Sequence, residues 1–218
     1  MSRRRWIGLA GLLFGVVMFV GIIISGTTPD RDGSDAVALY ESFWRDTGHQ
    51  DAASLGSVLL TYATVLLVAL AAGLRWLLAR VDTGPLPAVV LAAGTASAAL
   101  LGAGAALING AGLAAAEGGY EPAGGDALLV ESIGYYTVTA SIMCAAAMAV
   151  AVSLSNRSAR TLPQWTAVLT VLVALAALGS IYTAWIAFMV LPLWSVVVGG
   201  CLLATADEVA AEREPVAA

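Results

Sequence analysis

Residues Val89–Ala116 read VVLAAGTASAALLGAGAALINGAGLAAA, a run without one charged side chain. Gly94, Ala98, Gly102, Ala106 and Gly110 recur in it at four-residue spacing. On a helix this spacing puts small residues in a stripe, the small-xxx-small pattern by which helix backbones approach closely in lipid. The run also exceeds the roughly 20 apolar residues that a bilayer-spanning helix needs. It sets the fold class: an all-α, polytopic transmembrane helix bundle packed around its third hydrophobic segment.

Composition agrees. Of 218 residues, 60% are hydrophobic and 11% charged, and the mean hydropathy is +0.87. A soluble domain carries about 25% charged residues, so water is not the main solvent of this chain. All 10 basic residues are arginines. The net charge of −5 argues against nucleic-acid binding, which requires a basic face. Cys144 and Cys201 both lie in hydrophobic segments without the spacing of a metal site, and read as small apolar packing residues.

Working outward from the third segment, the sequence predicts six spans, at about 6–25, 55–78, 88–110, 128–154, 164–181 and 185–204, forming one domain over 1–206. The first follows Arg3-Arg4-Arg5. Its core of about twenty residues ends in Ile-Ser-Gly-Thr-Thr, too long for a signal peptide and without an A-x-A cleavage site. Within it Gly11 and Gly15 are also four apart and offer a packing face for the third-span ladder. The loop 26–54 begins with the turn chemistry of Thr27-Thr28-Pro29-Asp30. A short amphipathic helix over 34–46 follows, its apolar stripe read as Val37, Tyr40 and Trp44 with Phe43 beside them. Such a helix lies on the membrane surface or folds over the bundle mouth as a lid. Asp82-Thr83-Gly84-Pro85-Leu86-Pro87 makes the turn into the third span, and Asn156, Arg157, Arg160 and Pro163 the turn out of the fourth. The stretch 164–204 carries no charge and is divided near Tyr182–Trp185, where no strong turn residue stands; Pro192 is expected to kink the last helix. Residues 207–218 read as an acidic disordered tail.

Arginine bias sets the orientation. With the amino terminus cytoplasmic, Arg3, Arg4, Arg5, Arg75, Arg80, Arg157, Arg160 and Arg213 fall inside, and Arg31 and Arg45 outside. The expectation is a multi-pass plasma-membrane protein with both termini cytoplasmic and loop 26–54 extracytoplasmic.

An arginine-led first span, an acidic outer segment with aromatics at Tyr40 and Trp44, a Gly/Ala-rich third span and Leu162-Pro163-Gln164-Trp165 opening the fifth occur together. This layout resembles uncharacterised six-helix integral membrane proteins common in actinobacteria. The resemblance implies a location and a topology, and supplies no catalytic residues.

In this topology all six tyrosines lie in the outer half of the bundle or its outer loops. Glu131, an ionisable residue at membrane depth, is a functional candidate by default. Tyr62, Asn109, Glu131, Tyr135, Tyr136 and Trp185 form the candidate ligand-binding set, an outward-facing polar pocket beneath the Tyr40/Trp44 helix. The bland alternative is interfacial aromatics and an acid stabilised by a helix N-terminus. His49, the sole histidine, sits beside Asp46 and Asp51, too few ligands for a metal site. No HExxH, GxSxG or Gly-rich phosphate loop with Lys occurs, and no catalytic residue, metal or cofactor is assigned. The expected function is non-enzymatic: a partner in an envelope complex or a binder of a small lipophilic ligand. The alternative is a small transporter or permease using the pocket near Asn109, Glu131 and Tyr135. Membrane lipids are the expected partners, with association to a membrane protein or a second copy through the Gly11/Gly15 and Gly94/Gly102/Gly110 faces.

Overall fold

Runs of Ala, Leu and Val broken by short Gly, Pro and Asp clusters give an all-α chain. The computed structural model describes residues 2–26, 28–30, 33–118 and 123–211, with side chains throughout except at 180–185, 187 and 206–211. These residues form α1 (Arg3–Ser25), α2 (Ala36–Arg45), α3 (Thr47–Leu78), α4 (Leu86–Gly118), α5 (Gly124–Ala159), α6 (Thr166–Leu178) and α7 (Ser180–Ala211). Five are long and apolar enough to cross a membrane: α1, α3, α4, α5 and, through Phe188–Thr205, α7. The apolar α6 has 13 residues and rises only about 20 Å.

Local chemistry sets the helix ends. Ser2 Oγ accepts from the Arg5 N–H at the start of α1, and Asp46 Oδ1 from the Gly48 N–H at the start of α3. Gly26 closes α1 at φ +70°, in the left-handed region that glycine enters freely. Asn156 organises the α5–α6 turn: its amide donates to the Leu162 carbonyl, and its Oδ1 accepts from Leu162 N–H and the Thr161 hydroxyl. Arg4 ties that turn to α1 by donating to the Thr161 carbonyl at 2.7 Å.

Helices α1, α3, α4, α5 and α7 close into a ring in that order, with α6 outside against α5 and α7. Ring neighbours run antiparallel, except α5 and α7, which run parallel where they close the ring. Gly73 faces Ile7 while Gly21 faces Leu60; Gly94 faces Met148 while Gly134 faces Ile108; Gly8 faces Leu203 while Gly15 faces Pro192. Between α4 and α5 the Ser141 hydroxyl donates to the Ser97 carbonyl at 2.7 Å, a polar clasp in an otherwise apolar seam. These directions gather Arg3, Arg4, Arg5, Arg75, Arg80, Arg157 and Arg160 at one end of the ring. Asp35, Glu41, Asp46, Asp51, Glu117 and Asp126 gather at the other, with Arg45 alone among the described arginines.

At the arginine end, Asp82 ties the α3–α4 loop to the last turns of α5. Its Oδ2 accepts from the Ser155 hydroxyl at 2.6 Å and its Oδ1 from the Gly84 N–H at 2.8 Å. The Ser155 bond, then the Gly84 bond, hold the Asp82 carboxyl below its ordinary pKa. A carboxyl lowered by folding contributes stability above its unfolded value and loses it as pH falls through the folded one. Ser155→Ala is therefore expected to flatten the acid limb of a thermal-stability-versus-pH profile, while an unchanged limb would detach Asp82 from it.

Four expectations need correction. The Gly11/Gly15 face does not meet the third-segment ladder: it packs on α7, against Ser195, Pro192, Val196 and Gly199. Only part of the ladder is buried, since a Cβ at Gly94 would meet Ala71 and Met148, whereas one at Gly102 would touch only Thr64 and one at Gly110 nothing within 4 Å. The buried face of α4 drifts instead to Leu101, Gly104, Ala105, Asn109 and Gly112, because 3.6 residues per turn carries a four-residue repeat around the helix. The last hairpin breaks at Gly179, ahead of Tyr182–Trp185. Its reversal is fixed by the Trp194 indole N–H donating to the Thr170 hydroxyl at 3.2 Å, a pair that one continuous helix would hold about 36 Å apart.

The fourth concerns α2. Its buried residues are Ala36, Tyr40 and Trp44, and Val37 is 49% exposed. The helix packs against α3, α4 and α5, with Ala53 and Ala127 under Tyr40 and Trp44. Beyond α2, α3 begins at Thr47, eight residues before the expected span; His49 there stacks on Phe43 at 3.8 Å. Of the tail, 207–211 continue α7, and 212–218 lie outside the described residues.

Candidate functional site

A cavity of about 420 Å³ lies inside the ring toward its acidic end. Ile22, Ile23 and Ser25 of α1, with Gly26 and Thr28 after it, form one wall. Leu60 of α3 and Leu101, Ala105, Ile108 and Asn109 of α4 form the next. Tyr135 and Val138 of α5 and Phe188 and Met189 of α7 complete the lining. The volume falls in the range of roughly 300–1,000 Å³ typical of small-molecule sites, and a mostly apolar wall with a few placed polar groups is the usual character of such sites.

The polar groups come from the ends of the elements. Asn109 is 2% exposed, and its amide nitrogen has no hydrogen-bond partner among the described residues. A buried donor left unmade costs about 1–3 kcal/mol, which a ligand acceptor would recover. Tyr135 is half-buried, one helical turn beyond Glu131 on α5. Glu131 is 2% exposed and accepts from the Thr28 hydroxyl at 2.6 Å, so the cavity-lining Thr28 is tied to α5 by a hydrogen bond. Pro192, inside the continuous α7, has no N–H to offer the carbonyl of Phe188 one turn earlier, beside this wall.

Of the six residues expected to converge, the structure brings Asn109 and Tyr135 to the cavity and sets Glu131 behind Thr28. Tyr62 and Tyr136 point away, 62% and 65% exposed. On α3 the buried side runs through Leu60, Ala63 and Leu67, and Tyr62 falls opposite. Tyr136 follows Tyr135 by about 100° around α5 and meets it edge to face at 5.9 Å. The Trp185 side chain lies outside the described residues.

Sequence reasoning missed Ser25, Thr28, Phe188 and Met189. Thr28 stood in a stretch read as a turn, where its hydroxyl could have been weighed as a partner for Glu131. Phe188 and Met189 carry no signal that separates them from other apolar residues of a span. Both cysteines are unbridged thiols, and no group of three His, Cys, Asp or Glu side chains able to hold a metal occurs among the described residues. No protein-family model, no curated protein and no solved structure matches this chain.

Proposed function

We propose that this is a non-enzymatic integral membrane protein whose cavity holds one small lipophilic molecule bearing a hydrogen-bond acceptor. The observation that carries the reading is the cavity of about 420 Å³ with the buried, unpartnered amide of Asn109 in a mostly apolar wall. Tyr135 and Thr28 would fix the polar head, and Ile22, Leu60, Leu101 and Phe188 the hydrocarbon body. In this reading the chain has six spans, the short α6 being the fifth, in the plasma membrane. Seven described arginines at one end support placing both termini on the cytoplasmic side. The cavity then opens toward the outer leaflet, beneath α2.

The test is native mass spectrometry of protein purified in mild detergent. A single reproducible adduct is expected. Asn109→Leu should lower its retention roughly tenfold, one hydrogen bond's worth, while leaving thermal stability equal or higher because the unpaired amide is gone. Ala105→Phe, which fills the cavity from α4, should abolish retention without unfolding the protein. Absence of any adduct, or an adduct retained equally by both variants, overturns the proposal.

A further inference from the structure

The arginine end carries a shallow surface groove, apart from the cavity. Arg3, Trp6 and Ile7 of α1 and Gly73 and Trp76 of α3 line a groove of about 320 Å³. The Arg3 guanidinium lies 5.2 Å from the centroid of a Trp76 ring, and that of Arg80 lies 4.4 Å from one. Both arginines are exposed, and neither makes an ion pair among the described residues. Asp82, two residues beyond Arg80, directs its carboxylate to Ser155 and Gly84.

Two guanidinium groups drawn to one indole concentrate positive charge beside the groove, which favours an anion there. We propose that this groove binds the headgroup of an anionic phospholipid, with Arg3 and Arg80 as the two forks on its phosphate and Trp76 as the platform that orients them. A guanidinium stacked on an aromatic face keeps its N–H fork free and pre-organised for bidentate phosphate contact. Gly73 has no side chain to fill the floor; a Cβ there would meet Ile7 Cγ1 at 2.5 Å. Trp6, 62% exposed beside the floor, is placed to lie along the glycerol backbone at interface depth. The apolar surface of α1 and α3 continues away from the groove, with Leu13, Val16 and Val65 exposed, as acyl chains require. A lipid occupies such a groove better than a soluble anion, because charge attraction and burial of its chains act together.

The experiment is lipid retention by native mass spectrometry from nanodiscs of mixed phosphatidylglycerol and phosphatidylcholine. The wild-type protein is expected to keep one phosphatidylglycerol about thirtyfold in preference to phosphatidylcholine, the effect of two arginines at roughly one kcal/mol each near the surface. The double variant R3Q/R80Q should lose that preference, and Trp76→Leu most of it. Arg80→Lys, which keeps the charge without the fork, should fall between. Arg75→Gln is the control: Arg75 is exposed at the same end but, unlike Arg3 and Arg80, does not lie over the Trp76 ring, so its protein should keep the preference within about twofold. Melting temperatures report folding, and the single variant R80Q is read if the double one fails to fold. Equal retention of the two lipids, an equal loss in Arg75→Gln, or displacement of the lipid by millimolar inorganic phosphate overturns the assignment.

Discussion

Gly199→Leu is expected to destabilise the protein by about 3 kcal/mol, at the upper end of overpacking effects, and to empty the cavity. A Cβ at position 199 would lie 2.6 Å from both the Gly8 carbonyl oxygen and the Leu12 amide nitrogen. Both are backbone atoms within a helix and cannot rotate away. The same crossing is tight from the other side, where a Cβ at Gly15 would meet the Pro192 carbonyl and Val196 at 2.5 Å. Leucine therefore separates α1 from α7 along the whole seam. The cavity wall spans that seam, with Ile22 and Ile23 on one side and Phe188 and Met189 on the other, so ligand retention should fall together with stability. Unfolding by a graded denaturing detergent measures the first, and native mass spectrometry the second. Gly102→Leu is the matched control: it adds the same side chain on α4 where only the Thr64 methyl lies near, at 3.3 Å. A protein equally stable in both forms would show that the α1–α7 seam does not hold the ring closed.

That seam also marks what the sequence makes legible. The solvent and the helical class follow from composition, because few charges and long apolar runs leave lipid as the only medium that fits. The gathering of arginines at one end also follows, since it depends only on where the runs stop. Which faces meet does not. In a water-soluble helix, polar residues mark the outside; in α1 or α3 the outside is apolar too, and Tyr62 on the exposed side looks no different from Leu60 on the buried one. Small residues announce a close approach without naming the partner, and so Gly11 and Gly15 read as a face for α4 when they meet α7. Asn109 and Glu131 were legible because a polar group in such a segment needs a reason. Thr28, in a polar loop, stood out from nothing. The α6–α7 break at Gly179 is a weak signal for a related reason: a glycine inside a span is ordinary, and it takes the packing of α6 on α7, with the Thr170–Trp194 bond, to show that the chain turns back there.

Trp44→Ala is expected to release α2 from the bundle, at a loss of about 3–5 kcal/mol for the docked helix. Trp44 is 2% exposed, the largest buried side chain at this end, and its ring fills the space over Gly112, where a Cβ would lie 2.5 Å from it. Phe43 meets the same ring edge-on at 4.8 Å, and Ala53 and Ala127 close the seat. The indole nitrogen has no hydrogen-bond partner among the described residues. The contribution is thus one of shape and apolar area, so Trp44→Phe should retain most of it. A cysteine at Ala53, 1% exposed in the docked state, reports the outcome in a background with Cys144 and Cys201 replaced by alanine. It should resist a membrane-impermeant thiol reagent in the parent and Trp44→Phe proteins, and react readily after Trp44→Ala. Gly112 lies one turn beyond Asn109 on the same buried face of α4, so the seat of α2 adjoins the cavity. Release of α2 is therefore expected to speed ligand dissociation while leaving the cavity's residues unchanged. If Ala53→Cys stays protected after Trp44→Ala, α2 is held by contacts other than this ring, and the adjoining seat does not control access to the cavity.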